Sequence, residues 1–226
     1  MSFDLLYLLL VIPFLLGWLA QLRVRQTFYY YLKIPNKKGY TGAQIAEILL
    51  NDHKLNIPIL ETKKPLLNYY NPQSKTLHLS NKIAENPSIT ALGIVAHEME
   101  HVVQDHQGWK YMHLRNNIAK LLAITGQLSP IFFLWGILFG MSFFIILSVA
   151  MLFGMTIFAL ISLPVELNAS RRAIAQLKNL NLADQKELKM ASRVLRNAAL
   201  TYFAGASQRL GTFLFVVMIL YMAHQL

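Results

Sequence analysis

The sequence predicts a mainly α-helical, polytopic membrane protein with about four transmembrane helices. Of its 226 residues, 55% are hydrophobic and only 14% are charged, which is too apolar for an ordinary soluble domain. All 21 Lys and Arg residues fall within two stretches, residues 23–120 and 171–209, and long apolar segments lie outside or between them. The chain is therefore interpreted as one membrane-integrated domain over residues 1–226.

The first predicted span covers residues 3–22. About twenty mostly apolar residues are enough to cross the hydrocarbon core of a bilayer. A cleaved signal peptide is the competing interpretation, but the segment lacks a basic start and a small-residue cleavage site. Arg23 follows the span directly, which favours an uncleaved anchor.

One helix and one strand are predicted after this span. Residues 41–55 place apolar side chains at helical spacing after Thr41, a typical N-cap residue. Residues 74–83 begin with the alternation of a short strand, and Ser80 then caps a helix. This pattern favours one short β-hairpin in an otherwise helical chain.

The helix predicted over residues 88–108 contains the sequence HEMEH. Residues four apart lie one above the other on a helix, so His97 and His101 direct their imidazoles to one point, with Glu98 beside them. Two imidazoles on one face can bind Zn²⁺, and an adjacent carboxylate can deprotonate a water molecule. The pattern would arise by chance in roughly one such chain in a hundred, so a third ligand has to support it.

A second apolar region covers residues 118–163. As one helix it would be about 69 Å long, more than twice the thickness of a bilayer core. The sequence therefore predicts two spans, 118–138 and 142–163, joined by a turn near Gly140. The last span is predicted at 204–223, where a half-embedded helix is the alternative.

Two carboxylates compete for the role of third ligand. Glu166 follows the second apolar region, and it completes a His, His, Glu set that leaves the fourth zinc position open. The alternative is an acid at a helix start, with Pro164 in the first turn. Asp105 lies four residues after His101, but three successive turns cover about 12 Å, too far for a single ion. Asp105 is expected to accept a hydrogen bond from a ligand histidine or to be a solvated helix-end acid, and Glu100 and His106 are expected to be surface or rim residues.

The charge distribution also predicts topology. Four spans place both polar segments, 23–117 and 164–203, on one side of the membrane. Basic loops stay in the cytoplasm, so both termini are expected outside and the histidine motif inside. The chain has no cysteine, so any metal is held by His, Asp, Glu or water. The basic residues form no patch interleaved with aromatic residues, so we expect a lipid bilayer and no nucleic acid as partner.

Three stretches carry a resemblance to a known family: HEMEHVVQD, PVELNASRRA and AALTYFAGA. They resemble the YugP-type membrane neutral zinc metallopeptidases of bacteria and, more distantly, the HtpX and CAAX-protease group with H-E-x-x-H and a downstream E-x-x-A. The similarity covers about residues 39–205. It implies a gluzincin-like membrane peptidase in a bacterial cell membrane, with one zinc ion on His97, His101 and Glu166 and with Glu98 as the base.

The chain departs from the family pattern at two places. The family usually has Gly where this chain has Glu100, and Asp-His-Tyr-Asp-Pro where residues 67–72 read LNYYNP. Tyr202, within the third stretch, is either a hydrogen-bond donor to a tetrahedral oxyanion or an interfacial tyrosine that anchors the last helix.

The strand before the motif helix has two interpretations. Zincin-like peptidases place a sheet edge there, which makes Thr76, Leu77, His78 and Leu79 candidates for pairing with an extended substrate. The alternative is a small buried hairpin.

Together these features favour a membrane zinc endopeptidase that acts at the cytoplasmic face on a peptide or protein substrate, including membrane proteins. The alternative function is a non-enzymatic membrane adaptor or holding protein with a structural or vestigial metal. Glu98 argues against the adaptor, because a structural metal site has no use for a base.

Overall fold

The structure is a computed structural model that describes residues 3–64, 66–122 and 125–224. The described chain is mainly helical, as predicted, and it contains one three-stranded sheet in place of the single short hairpin that was predicted. Its elements in chain order are α1 (Phe3–Leu32), α2 (Gly42–Asp52), β1 (Ile59–Thr62), β2 (Tyr69–Asn71), β3 (Thr76–Ser80), α3 (Asn81–Ala84), α4 (Ile89–His106), α5 (Lys110–Leu122), α6 (Thr125–Leu138), α7 (Ser142–Asn179) and α8 (Gln185–His224).

The residue contacts divide the chain into two compact units. The apolar unit comprises Met1–Gln21, Leu114–Pro164 and Leu200–Leu226. The polar unit comprises Leu22–His113 and Val165–Ala199. The motif helix α4 and Glu166 both belong to the polar unit.

Three helices of the described chain are long and apolar enough to cross a membrane: Leu8–Leu32, Ser142–Asn179 and Gln185–Met222. A shorter apolar helix, Leu128–Leu138, lies within the predicted second span. Residues 123 and 124 of that predicted span lie outside the described residues. The count of four spans therefore stays a prediction.

Helix α7 continues from Ser142 to Asn179 without interruption. Pro164 lies inside this helix, so the prediction that it occupies the first turn of a new helix is wrong. Proline removes one backbone hydrogen bond, but long apolar helices accommodate this because neighbouring groups satisfy the freed carbonyl. The interpretation of Glu166 as an acid at a helix start loses its basis with this correction.

The predicted N-cap of α2 is present, and Ser88, where the motif helix was predicted to begin, caps α4. The Thr41 hydroxyl accepts a hydrogen bond from the Gln44 backbone N–H at 3.3 Å, and the Gln44 side chain accepts one from the Thr41 backbone at 2.9 Å. The Ser88 hydroxyl accepts from the Ala91 backbone at 3.1 Å. Gly108 beyond α4 has φ +66°, a left-handed conformation that glycine adopts without strain. These helix boundaries confirm the sequence prediction.

The sheet has the strand order β1-β3-β2. Strand β1 pairs with β3 in parallel and β2 pairs with it in antiparallel orientation. Thr76, Leu77, His78 and Leu79 therefore lie in the central strand, and the prediction that they form a free substrate edge is wrong. Side-chain alternation identifies the two faces of a strand but not its neighbours, and β1, with only four residues, gave no usable pattern.

A buried cluster fixes α4 against the sheet and α2. Seven of its large side chains in these elements are at most 1% exposed, and burying each one stabilises the fold by about 1.5 to 3 kcal/mol relative to leaving it in water. These seven are Ile45, Leu49, Leu77, Leu79, Leu92, Val95 and Met99. Because these contacts cover one side of α4, the position of its histidines is fixed by the core.

Candidate metal centre

The three predicted metal ligands converge in the polar unit. Nε2 of His97 lies 3.1 Å from Oε2 of Glu166, and Nε2 of His101 lies 3.5 Å from the same oxygen. The two imidazole centroids are 4.8 Å apart and their planes are nearly perpendicular. One ligand atom from each residue lies within 4.8 Å of the others.

These distances fit a zinc ion. Tetrahedral zinc with bonds of about 2.0 to 2.1 Å places its ligand atoms about 3.4 Å apart, and the two measured distances lie on either side of this value. Glu166 is only 1% exposed, and a buried carboxylate requires a positive partner. Two imidazoles and one carboxylate also leave a fourth position for water.

Gln104 orients the imidazole of His101. Its side-chain nitrogen donates to the Val165 carbonyl at 3.3 Å and to Oδ1 of Asn168 at 3.0 Å. Since a backbone carbonyl only accepts, this contact fixes the amide orientation and directs Oε1 of Gln104 to Nδ1 of His101, 2.9 Å away. The proton of His101 therefore lies on Nδ1, and Nε2 keeps its lone pair for a metal.

Ser170 occupies the corresponding position for His97. Its hydroxyl lies 3.2 Å from Nδ1 of His97, so Nδ1–H can donate to it while Nε2 faces Glu166. Neither Ser170 nor Gln104 was predicted. The available signal was their spacing, since Gln104 lies three residues after His101 and Ser170 lies four residues after Glu166 on one helix face.

We expect Gln104→Ala to lower zinc affinity by about 10- to 100-fold, because partners that hold a ligand histidine typically contribute this much. Competition with a chromogenic chelator would measure the affinity. Gln73→Ala, in the exposed hairpin loop, is the matched control. Equal affinities of the two variants would contradict the orienting role of Gln104.

Glu98 lies beside the ligands and contacts strand β2. The backbone N–H of Tyr70 donates to Oε2 of Glu98 at 3.2 Å. Tyr70 belongs to the LNYYNP stretch, so this departure from the family pattern lies next to the candidate base. In the same stretch, Oδ1 of Asn68 accepts a hydrogen bond from the Ser80 backbone at 2.8 Å, which ties the loop to β3.

Asp105 has a different role from the predicted one. Its buried carboxylate accepts a hydrogen bond from the Tyr70 hydroxyl at 2.7 Å and pairs with the Lys75 ammonium. It is 7% exposed, and within the part of the chain that the structure describes its carboxylate bonds to Tyr70 and Lys75 and not to a ligand histidine. Burial, together with the bond to Asp105, raises the pKa of the Tyr70 phenol well above its ordinary value. Tyr70 therefore remains a protonated donor.

Glu100 is 3% exposed, so its predicted surface position is wrong. Nε of Arg172 lies 2.7 Å from its carboxylate, and both terminal nitrogens of Arg172 donate to Oε1 of Gln107 at 3.2 Å. Burial raises the pKa of the Glu100 carboxyl, and the guanidinium acts in the opposite direction. The charge is tolerated inside because α7 supplies its counter-ion.

Tyr202 lies on α8 in the apolar unit and is 41% exposed. Its role as an oxyanion donor stays a prediction.

Comparison with known proteins decides the family. The chain matches, over residues 6–221, the family described as "Putative neutral zinc metallopeptidase". The chain belongs to this family. A relative named "Putative membrane protease YugP", from Bacillus subtilis (strain 168), is 32% identical over 205 residues, which cover 90% of this chain and 91% of the relative. No solved structure matches the chain. The resemblance inferred from the motifs is confirmed, and the family name itself implies zinc.

Proposed function

We propose that this protein is a membrane-integrated, zinc-dependent endopeptidase. The observation that carries the proposal is the convergence of Nε2 of His97, Nε2 of His101 and Oε2 of Glu166 beside the carboxylate of Glu98. Membership in a zinc metallopeptidase family and similarity to a protein named as a membrane protease support it.

The roles of the residues follow from their chemistry. A zinc ion held by His97, His101 and Glu166 would supply a Lewis acid that polarises the scissile carbonyl and acidifies water. Glu98 accepts a proton from the attacking water as the water oxygen bonds to the carbonyl carbon. Glu98 then delivers that proton to the amide nitrogen as the C–N bond breaks. No covalent enzyme intermediate forms.

The substrate is proposed to bind as an extended strand along β2. Tyr70 directs its backbone N–H to Glu98 rather than to β3, so the outer side of β2 faces the candidate base. An added strand gains affinity from backbone hydrogen bonds and specificity from alternate side chains. Strand β2 therefore takes the place of β3 as the proposed substrate-binding strand, because β3 has strand neighbours on both sides.

The metal-centre side of the membrane is proposed to be the cytoplasm. We expect cysteines introduced at Asn56 and Asn179 to react with an impermeant thiol reagent only from the cytoplasmic side, because basic segments stay inside. The chain has no native cysteine, so each variant reports one position. Labelling of the two positions from opposite sides would contradict an even number of spans between the histidines and Glu166.

Metal content and proteolysis together test the proposed function. The full chain purified in detergent should contain one zinc ion by elemental analysis and should cleave an unfolded protein substrate. A chelator should abolish cleavage, and added zinc should restore it, because the ligand set provides the acid that the reaction needs. Bound zinc without cleavage of any unfolded substrate would overturn the peptidase proposal and favour the adaptor.

A further inference from the structure

A pocket of the polar unit is lined in part by Tyr70, whose backbone N–H donates to the candidate base Glu98. It has a volume of about 380 Å³ and lies between the loop after α2, the β2–β3 hairpin and the C-terminal end of α4. Among the side chains that line it are Lys54, Ile57, Tyr70, Lys75, Val102 and Asp105.

Tyr70 connects this pocket to the metal centre. Its backbone N–H bonds to Glu98, and its side chain lines the pocket. Val102 and Asp105 follow Glu98 by four and seven residues, on the same face of α4. Seven helical residues rise by about 10 Å, a distance that an extended peptide covers with about three residues. A substrate on β2 can therefore reach the pocket with a side chain about three residues from the scissile bond.

The charged groups of the pocket leave one cation without a counter-ion. Lys75 pairs with Asp105, whose carboxylate also accepts the Tyr70 hydroxyl. Lys54 has no carboxylate within 4.0 Å among the residues that the structure describes. The lining thus carries an excess positive charge next to the partly exposed apolar side chain of Ile57.

The backbone at both lysines is unusual. Lys54 has φ +54° and Lys75 has φ +53°, a left-handed conformation that glycine or asparagine adopts at lower cost. Within the described chain the other non-glycine residue of this kind is Asn181. Lys54 follows the C-cap of α2, where glycine is the common residue. The backbone N–H of Lys54 donates to the Asn51 carbonyl at 3.1 Å, a bond that glycine would also make, so this turn does not require a lysine side chain.

We propose that this pocket binds a carboxylate of the peptide substrate, with Lys54 as the charged contact and Ile57 as the apolar wall. This inference rests on the proposed peptidase function. The carboxylate belongs either to an acidic side chain about three residues from the scissile bond or to the end of the peptide chain.

Matched fluorogenic peptides test this proposal with the zinc-loaded full chain in detergent. Otherwise neutral peptides carry Glu or Gln at each position two to four residues from the cleaved bond, and a second pair ends in a free acid or an amide. We expect up to about fivefold lower KM for the acidic member at one position, the range of an exposed ion pair. The pair of peptides that shows the effect identifies the source of the carboxylate.

Two substitutions of Lys54 provide the decisive comparison. Lys54→Gly should reduce the Glu-to-Gln preference to about one and should not lower the unfolding temperature, since glycine suits φ +54°. Lys54→Glu should reverse the charge preference, so that a peptide with Lys at the tested position has a lower KM than the peptide with Glu. Lys189→Glu, an exposed site on α8 with the same charge change, should keep the wild-type preference. An unchanged preference in Lys54→Glu would overturn the proposal.

Binding measurements separate this inference from the peptidase function. Fluorescence anisotropy with zinc-loaded Glu98→Gln reports peptide affinity without turnover. Binding of the acidic peptides that depends on Lys54, without hydrolysis by the wild type, would refute the function and support the carboxylate pocket. Hydrolysis by the wild type, with peptide affinity that does not change when Lys54 is substituted, would support the peptidase function and overturn the proposal that the pocket binds a carboxylate.

Discussion

Glu98→Gln is expected to retain one zinc ion and to lose about 10²- to 10⁴-fold in kcat. The carboxamide has nearly the same shape as the carboxylate, but it cannot accept the proton of the attacking water. The ligand atoms of His97, His101 and Glu166 are unaffected, so the metal should remain. Loss of hydrolysis with retention of zinc in this variant would distinguish a peptidase from a protein with a structural metal site.

Parallel assays of zinc content and proteolysis measure this effect. Glu85→Gln, an exposed glutamate just before α4, is the control and should cleave at the wild-type rate. His97→Ala should instead lose the metal itself and, with it, part of its stability. Full hydrolysis by Glu98→Gln would be incompatible with the proposed mechanism.

The second large effect concerns the third ligand. Glu166→Ala is expected to lower zinc affinity by more than about 100-fold, above the range typical for residues that only support a ligand. Its Oε2 is the atom on which both imidazole nitrogens converge, and its loss removes the negative charge of the set. Asp105→Ala should change zinc affinity little, because its bonds go to Tyr70 and Lys75.

The two variants control for each other. Asp105→Ala should destabilise the fold by about 1 to 3 kcal/mol, because it leaves the buried Tyr70 hydroxyl without its acceptor. Chelator competition should therefore show a loss of zinc affinity in Glu166→Ala and little change in Asp105→Ala. The unfolding temperature in detergent should fall in Asp105→Ala. Loss of the metal in Asp105→Ala and its retention in Glu166→Ala would show that the ligand set is wrong.

Local sequence signals predicted the parts of the fold that depend on neighbours along the chain. Thr41 and Ser88 marked the starts of α2 and α4 because an N-cap acts on residues within one turn. The His97–His101 pair was predictable for the same reason, since their alignment follows from helix geometry alone. Glu166 was found because a carboxylate stood out next to a long apolar segment.

Features that depend on distant pairing were missed or predicted wrongly. Strand β3 resembled an edge because its partner β1 is short, and only tertiary structure places β1 beside it. Glu100 was assigned to the surface because its counter-ion, Arg172, lies 72 residues further along the chain. The spacing of Gln104 after His101 places the two side chains together, but the bonds that fix the Gln104 amide go to Val165 and Asn168 on α7, which are distant in the sequence.

The contacts of Gln104 have a consequence for chain entropy. Its bonds to Val165 and Asn168 join residues that are 61 and 64 positions apart, so they close the same long loop that a metal between His101 and Glu166 would close. The hydrogen bonds of Gln104 within the chain therefore offset the entropy cost of closing this loop before a metal ion binds. Unlike a zinc finger, which folds only with its metal, the polar unit should keep its secondary structure when zinc is removed. Zinc uptake should accordingly be limited by access to the ligands and not by folding.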